Sequence, residues 1–340
     1  MRKVKLGIVF GGMSTENEIS KISALSIIKN IDVEKYEVYK IYITKEGVWQ
    51  EFFDDNENVN IENVIEYLEN LDVVFPVLHG LYGEDGTIQG LLELLKIPYV
   101  GCGVLASAVG MDKVYTKIIF EKAGLKQAKY EYIRKVKDKY IYISKNFEEE
   151  VLSLNRIVKK ITDNLKFPIY VKPSNSGSSI GINKAKTTEQ MKAYIELASE
   201  FDNKILFEEE IVGREIECAV LGNEDVISSC VGEIKPADEF YSYDAKYNNK
   251  KSFTVIPAEI DNELQEKIKF QAIKAFKAID GKGLSRVDFF VENDTNEIYI
   301  NEINTLPGFT SISMYPKLFE SEGLRYKQLI EKIIELGMNR

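Results

Sequence analysis

The chain reads as an α/β protein of two or three domains. Lys5 to Phe10 is a short buried strand that ends in Gly11 and Gly12, and Ser20 to Asn30 returns as an amphipathic helix, which is how an open α/β sheet begins. Strand-length apolar runs then alternate with segments of helical period along the rest of the chain. With 340 residues, 44 % of them apolar, there is more to bury than one ordinary core takes, so the chain should divide.

The turn GGMSTENE after the first strand lacks the glycine spacing of a dinucleotide fingerprint. Glu16 and Glu18 in that turn face the carboxyl ends of the strands, where ligands gather in open parallel sheets. One of them suits an ammonium group, although acids also favour a helix N-terminus for its dipole alone. Tyr36 to Ile43 is expected as a second strand, Ile61 to Glu69 as a helix, and Leu71 to Leu78 as a third, nearly continuous apolar strand. That strand delivers His79, the one histidine, into GLYGEDGTIQG. A lone histidine is more often structural than catalytic, but this one stands where a strand meets a glycine-rich turn. A further strand signal at Pro98 to Gly101 precedes a helix from Ser107 that carries Met111, Asp112 and Lys113, and the first domain should close near residue 105.

From Lys113 to Gly124 the pattern is helical, Lys129 to Ile133 and Tyr140 to Ile143 are strand material around KVKDK, and Phe147 to Leu165 reads as a helix. Phe167 to Val171 is a strand that runs into Lys172 and the loop PSNSGSSIG. Small hydroxyl residues and glycines there offer many backbone N–H donors beside a fixed positive charge, which is phosphate-cradle chemistry. No GK[ST] ends the loop, so it is not a Walker A loop, and a plain mobile surface loop has the same composition. Ile205 to Glu210 is a strand ending in acids, and after Ile211 to Arg214 another runs from Glu215 to Leu221; backbone groups at that hinge permit pairing with an adenine edge. Residues 236–252, PADEFYSYDAKYNNKKS, exceed the common connection length and are a lid candidate. Asn262 to Ala278 and Tyr326 to Gly337 are the closing helices.

Between those helices lies RVDFFVENDTNEIYINEINTLPG, two alternating arms about the turn Asn293 to Asn296, hence a β-hairpin. Arg286 and Asp288 share one face of the first arm, and Glu302 and Asn304 share one face of the second. If the faces coincide, three oxygen-bearing side chains and a guanidinium converge, a set suited to hard cations and the phosphates they carry.

Composition narrows the class. A net charge of -10, from 54 acidic and 44 basic residues, argues against a nucleic-acid-binding surface and suits an enzyme whose anionic substrate arrives with metal. Cys102, Cys218 and Cys230 are odd in number and lack metal-ligand spacing, which points to a reducing compartment. The apolar run in MRKVKLGIVFGG is too short for a secretory signal, and no stretch of about 18 apolar residues is present to cross a bilayer. A cytoplasmic protein with no membrane or nucleic-acid partner is expected.

The pieces GGMSTENEIS, VLHGLYGEDGTIQG, GCGVLASAVGMDK, VKPSNSGSSIG, FEEEIVGREIE, YDAKY and RVDFFV with NEINTLPGFTSISMYP make the chain resemble, over nearly its whole length, the D-alanine:D-alanine ligases of the ATP-grasp superfamily. The resemblance implies a three-domain ATP-grasp fold: an N-terminal parallel-sheet domain at 1–105, a central subdomain at 106–210 and a C-terminal catalytic domain at 211–340. ATP would be gripped between antiparallel sheets of the last two. It further implies Lys113 and Lys172 on the α- and β-phosphates, Glu208 and Ile211 on adenine, Glu215 on the ribose, and Lys246 reaching the γ-phosphate from the lid. Asp288, Glu302 and Asn304 resemble the ligands of two Mg²⁺ ions, replaceable by Mn²⁺, with Glu302 bridging. Glu16, assisted by His79, resembles the holder of the first D-alanine's ammonium, in a hydrogen-bonded trio with Ser178 and Tyr247. Arg286 and the Gly308 N–H resemble an oxyanion hole, and Ser313 and Met314 the lining of the second amino-acid site. A homodimer is the expected assembly, and a D-serine or D-lactate ligase of the same family is the competing reading.

Overall fold

The computed structural model describes residues 2–53, 57–177, 180–235 and 253–340. Three sheets organise them. The first contains β1 (Val4–Gly11), β2 (Tyr36–Ile43), β3 (Trp49–Glu51), β4 (Val59–Asn60) and β5 (Val73–Val77) in the order β4-β3-β2-β1-β5. β2, β1 and β5 run parallel, while β3 and β4 are added antiparallel at one edge. Around it run α1 (Asn17–Asn30), α2 (Val64–Glu69), α3 (Thr87–Leu94) and α4 (Val104–Met111), followed by α5 (Lys113–Lys122).

The second sheet is antiparallel throughout, in the order β10-β9-β11-β6-β7-β8. Its strands are β6 (Tyr130–Val136), β7 (Lys139–Ile143), β8 (Glu149–Leu152), β9 (Ile169–Pro173), β10 (Asn183–Ala185) and β11 (Lys204–Glu209), with α6 (Leu154–Asn164) and α7 (Thr188–Ala198) covering one face. Ile133, Ile157, Val171, Ile195 and Phe207 form its own buried core. The third sheet, also antiparallel, holds β12 (Gly213–Gly222), β13 (Ile227–Lys235), β14 (Phe253–Val255), β15 (Gly283–Glu292) and β16 (Ile298–Asn304) in the order β14-β13-β12-β15-β16. α8 (Asn262–Ala278) lies on one face, burying Ile268, Ala272 and Phe276 against Ile216, Cys218, Val220, Val287 and Phe289.

The chain closes with α9 (Met314–Ser321) and α10 (Tyr326–Met338), which join the first and third sheets into one core. Leu6, Ile8, Phe10 and Phe75 share it with Leu221, Phe309, Tyr315, Ile330 and Ile334. Phe75 meets Phe309 edge to face at 6.0 Å, and burying a side chain of that size contributes about 1.5–3 kcal/mol. This packing holds the Gly308 loop against the ends of the first sheet.

Four expected elements are corrected. The helix expected over Phe147 to Leu165 begins only at Leu154: Phe147 takes φ +62° in a turn, and Glu149–Leu152 alternates in burial and pairs with β7 as an edge strand. The helix expected from Ile61 begins at Val64, because Asn63 caps it by accepting from the Glu66 N–H. The helix expected from Ser107 through Lys113 is two helices. α4 starts at Val104, and Asp112 breaks the run, its extended backbone and carboxylate capping α5 through the Val114 and Tyr115 N–H groups. Pro98 to Gly101 contributes only a single parallel bridge, Tyr99 to Val74.

Candidate active site

β15 and β16 pair Arg286 with Asn304 and Asp288 with Glu302, so the two polar faces of the hairpin coincide. The second arm is not a simple alternation. Asp288 opposes Glu302 but Phe289 opposes Ile300, which leaves Asn301 as a bulge. That extra residue lets Ile298, Ile300 and Ile303 all enter the core while Glu302 and Asn304 face outward into a cleft. On the other side of β15, β12 sets Glu217 across from Asp288. Glu217, Asp288 and Glu302 thus form a carboxylate row across three strands.

The cleft between the second and third sheets has a volume of about 1170 Å³. Its charges are paired with one another. Arg286 donates from Nε and Nη2 to the two Asp288 oxygens at 2.7 and 2.6 Å, and its Nε lies 3.1 Å from Glu217 Oε2. Burial alone would pull the guanidinium pKa down, but Asp288 and then Glu217 raise it and keep it charged. Lys113 donates to the Ser176 carbonyl at 2.6 Å, with its ammonium 3.8 Å from Glu302 Oε2.

Glu208 on β11 is held by two cations. Lys172 Nζ lies 2.6 Å from Oε2, and Lys117 of α5 pairs with Oε1. Burial would push this carboxyl up, but Lys117 and Lys172 lower it from 4.5 to about 2. A carboxyl depressed in the fold stabilises it above its unfolded pKa, and that stability is lost as pH falls toward the folded value. Lys117→Met should therefore be less stable than the parent at pH 7, with the gap closing as pH falls below about 4, where the unfolded carboxyl takes up its proton. Urea unfolding across pH measures it, and a pH-independent gap would contradict this account.

From the first sheet, Glu16 stands at the start of α1, 8 % exposed. A Cβ at Gly80 would come within 2.7 Å of its Oε2, and one at Gly177 within 2.9 Å, so both glycines are spaces left for this carboxylate. His79 is buried with Nδ1 3.5 Å from Glu84 Oε1 and Nε2 3.1 Å from Ser23 Oγ. Burial favours the neutral ring, but the Glu84 hydrogen bond and charge, with Glu16 behind it, raise the pKa. Ser23 Oγ also accepts from the Phe309 N–H at 3.4 Å, tying His79 to the loop that carries Gly308. In that loop Ser313 Oγ accepts from the Thr310 N–H at 3.0 Å, and a Cβ at Gly308 would approach it to 2.8 Å. Met314 opens α9 and is buried against Gly232.

Of the seventeen candidate residues, Ser178, Lys246 and Tyr247 lie outside the described residues, as does the lid candidate 236–252. The other fourteen all line this one cleft: Glu16, His79, Lys113, Lys172, Glu208, Ile211, Glu215, Arg286, Asp288, Glu302, Asn304, Gly308, Ser313 and Met314. Three neighbours escaped the sequence reading. Glu217 follows Glu215 at strand period on the same face, Lys117 follows Lys113 by one helical turn, and Glu84 sits five residues after His79 in the glycine-rich turn. Among the described residues no three His, Cys, Asp or Glu side chains gather as a ready metal site. The donors that do converge are two carboxylates and an amide, which fit a magnesium-like ion that keeps positions for phosphate oxygens and water.

Two family models match the chain: D-ala D-ala ligase N-terminus over residues 5–102 and D-ala D-ala ligase C-terminus over residues 119–335. The chain is 48 % identical to the D-alanine--D-alanine ligase of Acetivibrio thermocellus, covering 99 % of this chain and 96 % of that one. It is 49 % identical to that of Clostridium novyi, covering 99 % of each. Among solved structures, the VanG D-Ala:D-Ser ligase from Enterococcus faecalis superposes with a TM-score of 0.85 at 36 % identity, over 99 % of this chain and 100 % of that one.

Proposed function

The chain belongs to the D-alanine--D-alanine ligase family, an ATP-grasp enzyme that joins two D-alanines for peptidoglycan synthesis using ATP and a divalent metal, and we propose that the cleft described above carries each step. The observation that supports this reading is the convergence in one cleft of Lys113 from α5, Lys172 from the second sheet, and the carboxylate row and Arg286 from the third.

A carboxylate is a poor electrophile, so the γ-phosphate of ATP is first moved onto the carboxylate of D-alanine, giving an acyl phosphate with a good leaving group. Lys113 and Lys172 exchange their carboxylate partners for ATP phosphates, while Ile211 and Glu208 hold adenine and Glu215 the ribose. Asp288, Glu302 and Asn304 would hold two Mg²⁺ ions, which when bound would supply charge neutralisation for the transferring phosphoryl group. Glu16, braced by His79, holds the first ammonium. The amine of the second D-alanine then attacks the acyl carbon, Arg286 with the Gly308 N–H stabilises the oxyanion, and its collapse breaks the acyl C–O bond, releasing inorganic phosphate and leaving the amide. We take the domains to be 1–105, 106–210 and 211–340. A cytoplasmic site of action follows from the need for ATP, and the exposed Leu94, Val104 and Leu105 on α3 and α4 offer a face for a homodimer.

The product follows from Met314, which by resemblance borders the second substrate. A thioether is a weak hydrogen-bond acceptor, so a D-serine hydroxyl set against it stays poorly paired at about 1–3 kcal/mol, whereas a methyl group suffers nothing. With D-alanine and D-serine at equal concentration, D-alanyl-D-alanine should dominate by roughly ten-fold or more. Mass spectrometry of products formed with ATP and Mg²⁺ tests this. A mixed alanyl-serine product as the major species would overturn it, and ADP release independent of D-alanine would overturn the ligase reading of the cleft.

A further inference from the structure

Glu217 has no part in the steps above, yet it is built into their centre. On β12 its neighbours Ile216 and Cys218 face the α8 core, and strand alternation turns Glu217 to the cleft, where it is 6 % exposed. A carboxylate so buried is not required by packing, and what it faces is Arg286, at 3.1 Å from Nε. Asp288, directly across the ladder from Glu217, meanwhile spends both its oxygens on the same guanidinium.

That arrangement conflicts with Asp288 as a metal ligand unless something takes over the arginine. An oxygen engaged by a charge-assisted hydrogen bond is a poorer donor to a cation, and a metal that draws Asp288 away would strand a buried guanidinium. Resting on the assignment of Asp288 to the metal and Arg286 to the oxyanion, we propose that Glu217 is a positioning residue that retains Arg286 when Asp288 turns from the guanidinium to the divalent metal. Glu217 is placed to do this: it reaches the guanidinium from β12, on the side away from Glu302, and so keeps Arg286 charged and aimed into the cleft as Asp288 leaves it. Without the Glu217 charge, Asp288 is the one remaining carboxylate within hydrogen-bond distance of Arg286 among the described contacts, and the guanidinium competes with the metal for it.

The test is Mn²⁺ binding to the full chain with ADP, read by electron paramagnetic resonance without turnover, alongside kcat and KM for D-alanine. Glu217→Gln should weaken Mn²⁺ binding by about ten-fold, as loss of an outer-shell partner does, and lower kcat at saturating Mn²⁺ more than it raises KM. Glu217→Asp, which keeps the charge at shorter reach, should fall between. Parental Mn²⁺ affinity in Glu217→Gln, or in Glu217→Asp if the glutamine variant does not fold, overturns the proposal, as does a loss of thermal stability with no change in metal binding. Asp288→Asn separates the premises. If that variant binds Mn²⁺ like the parent, the metal assignment fails and this inference with it; if it binds weakly while Glu217→Gln binds normally, only this inference fails.

Discussion

Glu302→Gln should abolish ADP formation while leaving the protein folded. The substitution is nearly isosteric, and the Glu302 side chain is 36 % exposed, so water satisfies the new amide and little stability is at stake. What is lost is the charge that faces both the Asp288 carboxylate across the ladder and the Lys113 ammonium 3.8 Å away. If this oxygen pair bridges two metals, phosphoryl transfer loses the charge stabilisation on which it chiefly depends, a fall of roughly 10³-fold or more. A coupled assay for ADP at several Mg²⁺ concentrations, beside a urea melt, measures both halves of the expectation. ADP production retained with an unchanged Mg²⁺ dependence would remove Glu302 from the metal site.

The hairpin was readable in advance because its signals are local. Alternation assigns Arg286 and Asp288 to one face, the turn Asn293 to Asn296 sets the arms antiparallel, and the polar residues interrupt runs that a core strand would keep apolar. Asn301 shows where that reasoning stops. Read as strict alternation, the second arm would turn Ile303 and Ile300 to opposite faces; the bulge that reconciles them is set by pairing with β15 and by burial against α8, neither of which is a property of the segment itself. The same limit explains β8. Glu149 to Leu152 has the composition of a helix start, and only the free edge of β7 makes it a strand. Glu217 needed its neighbours most of all. Beside Glu215 it looks like an exposed strand charge, and its meaning comes from Arg286 and Asp288 on another strand far along the chain. The nearness of Glu16 to Gly177, which brings the first sheet to the serine-rich loop, is likewise a fact of tertiary packing and was available beforehand only through resemblance.

Arg286→Met should be the most damaging single change, because it removes function and support together. Methionine fills most of the arginine's volume, so the consequence is electrostatic rather than a cavity. Two carboxylates, the buried Glu217 and the partly buried Asp288, lose the cation that both face, and breaking a buried ion pair from one side typically costs about 3–5 kcal/mol. Loss of the oxyanion donor should lower kcat by about 10²- to 10³-fold on its own. Mg²⁺ supplies a check on that electrostatic cause. In the parent a cation must draw Asp288 from Arg286, whereas in the variant it meets carboxylates with no competing guanidinium, so added Mg²⁺ should raise the melting temperature of Arg286→Met more than that of the parent. A deficit that does not respond to Mg²⁺ would mean that these carboxylates are neutralised by something other than Arg286.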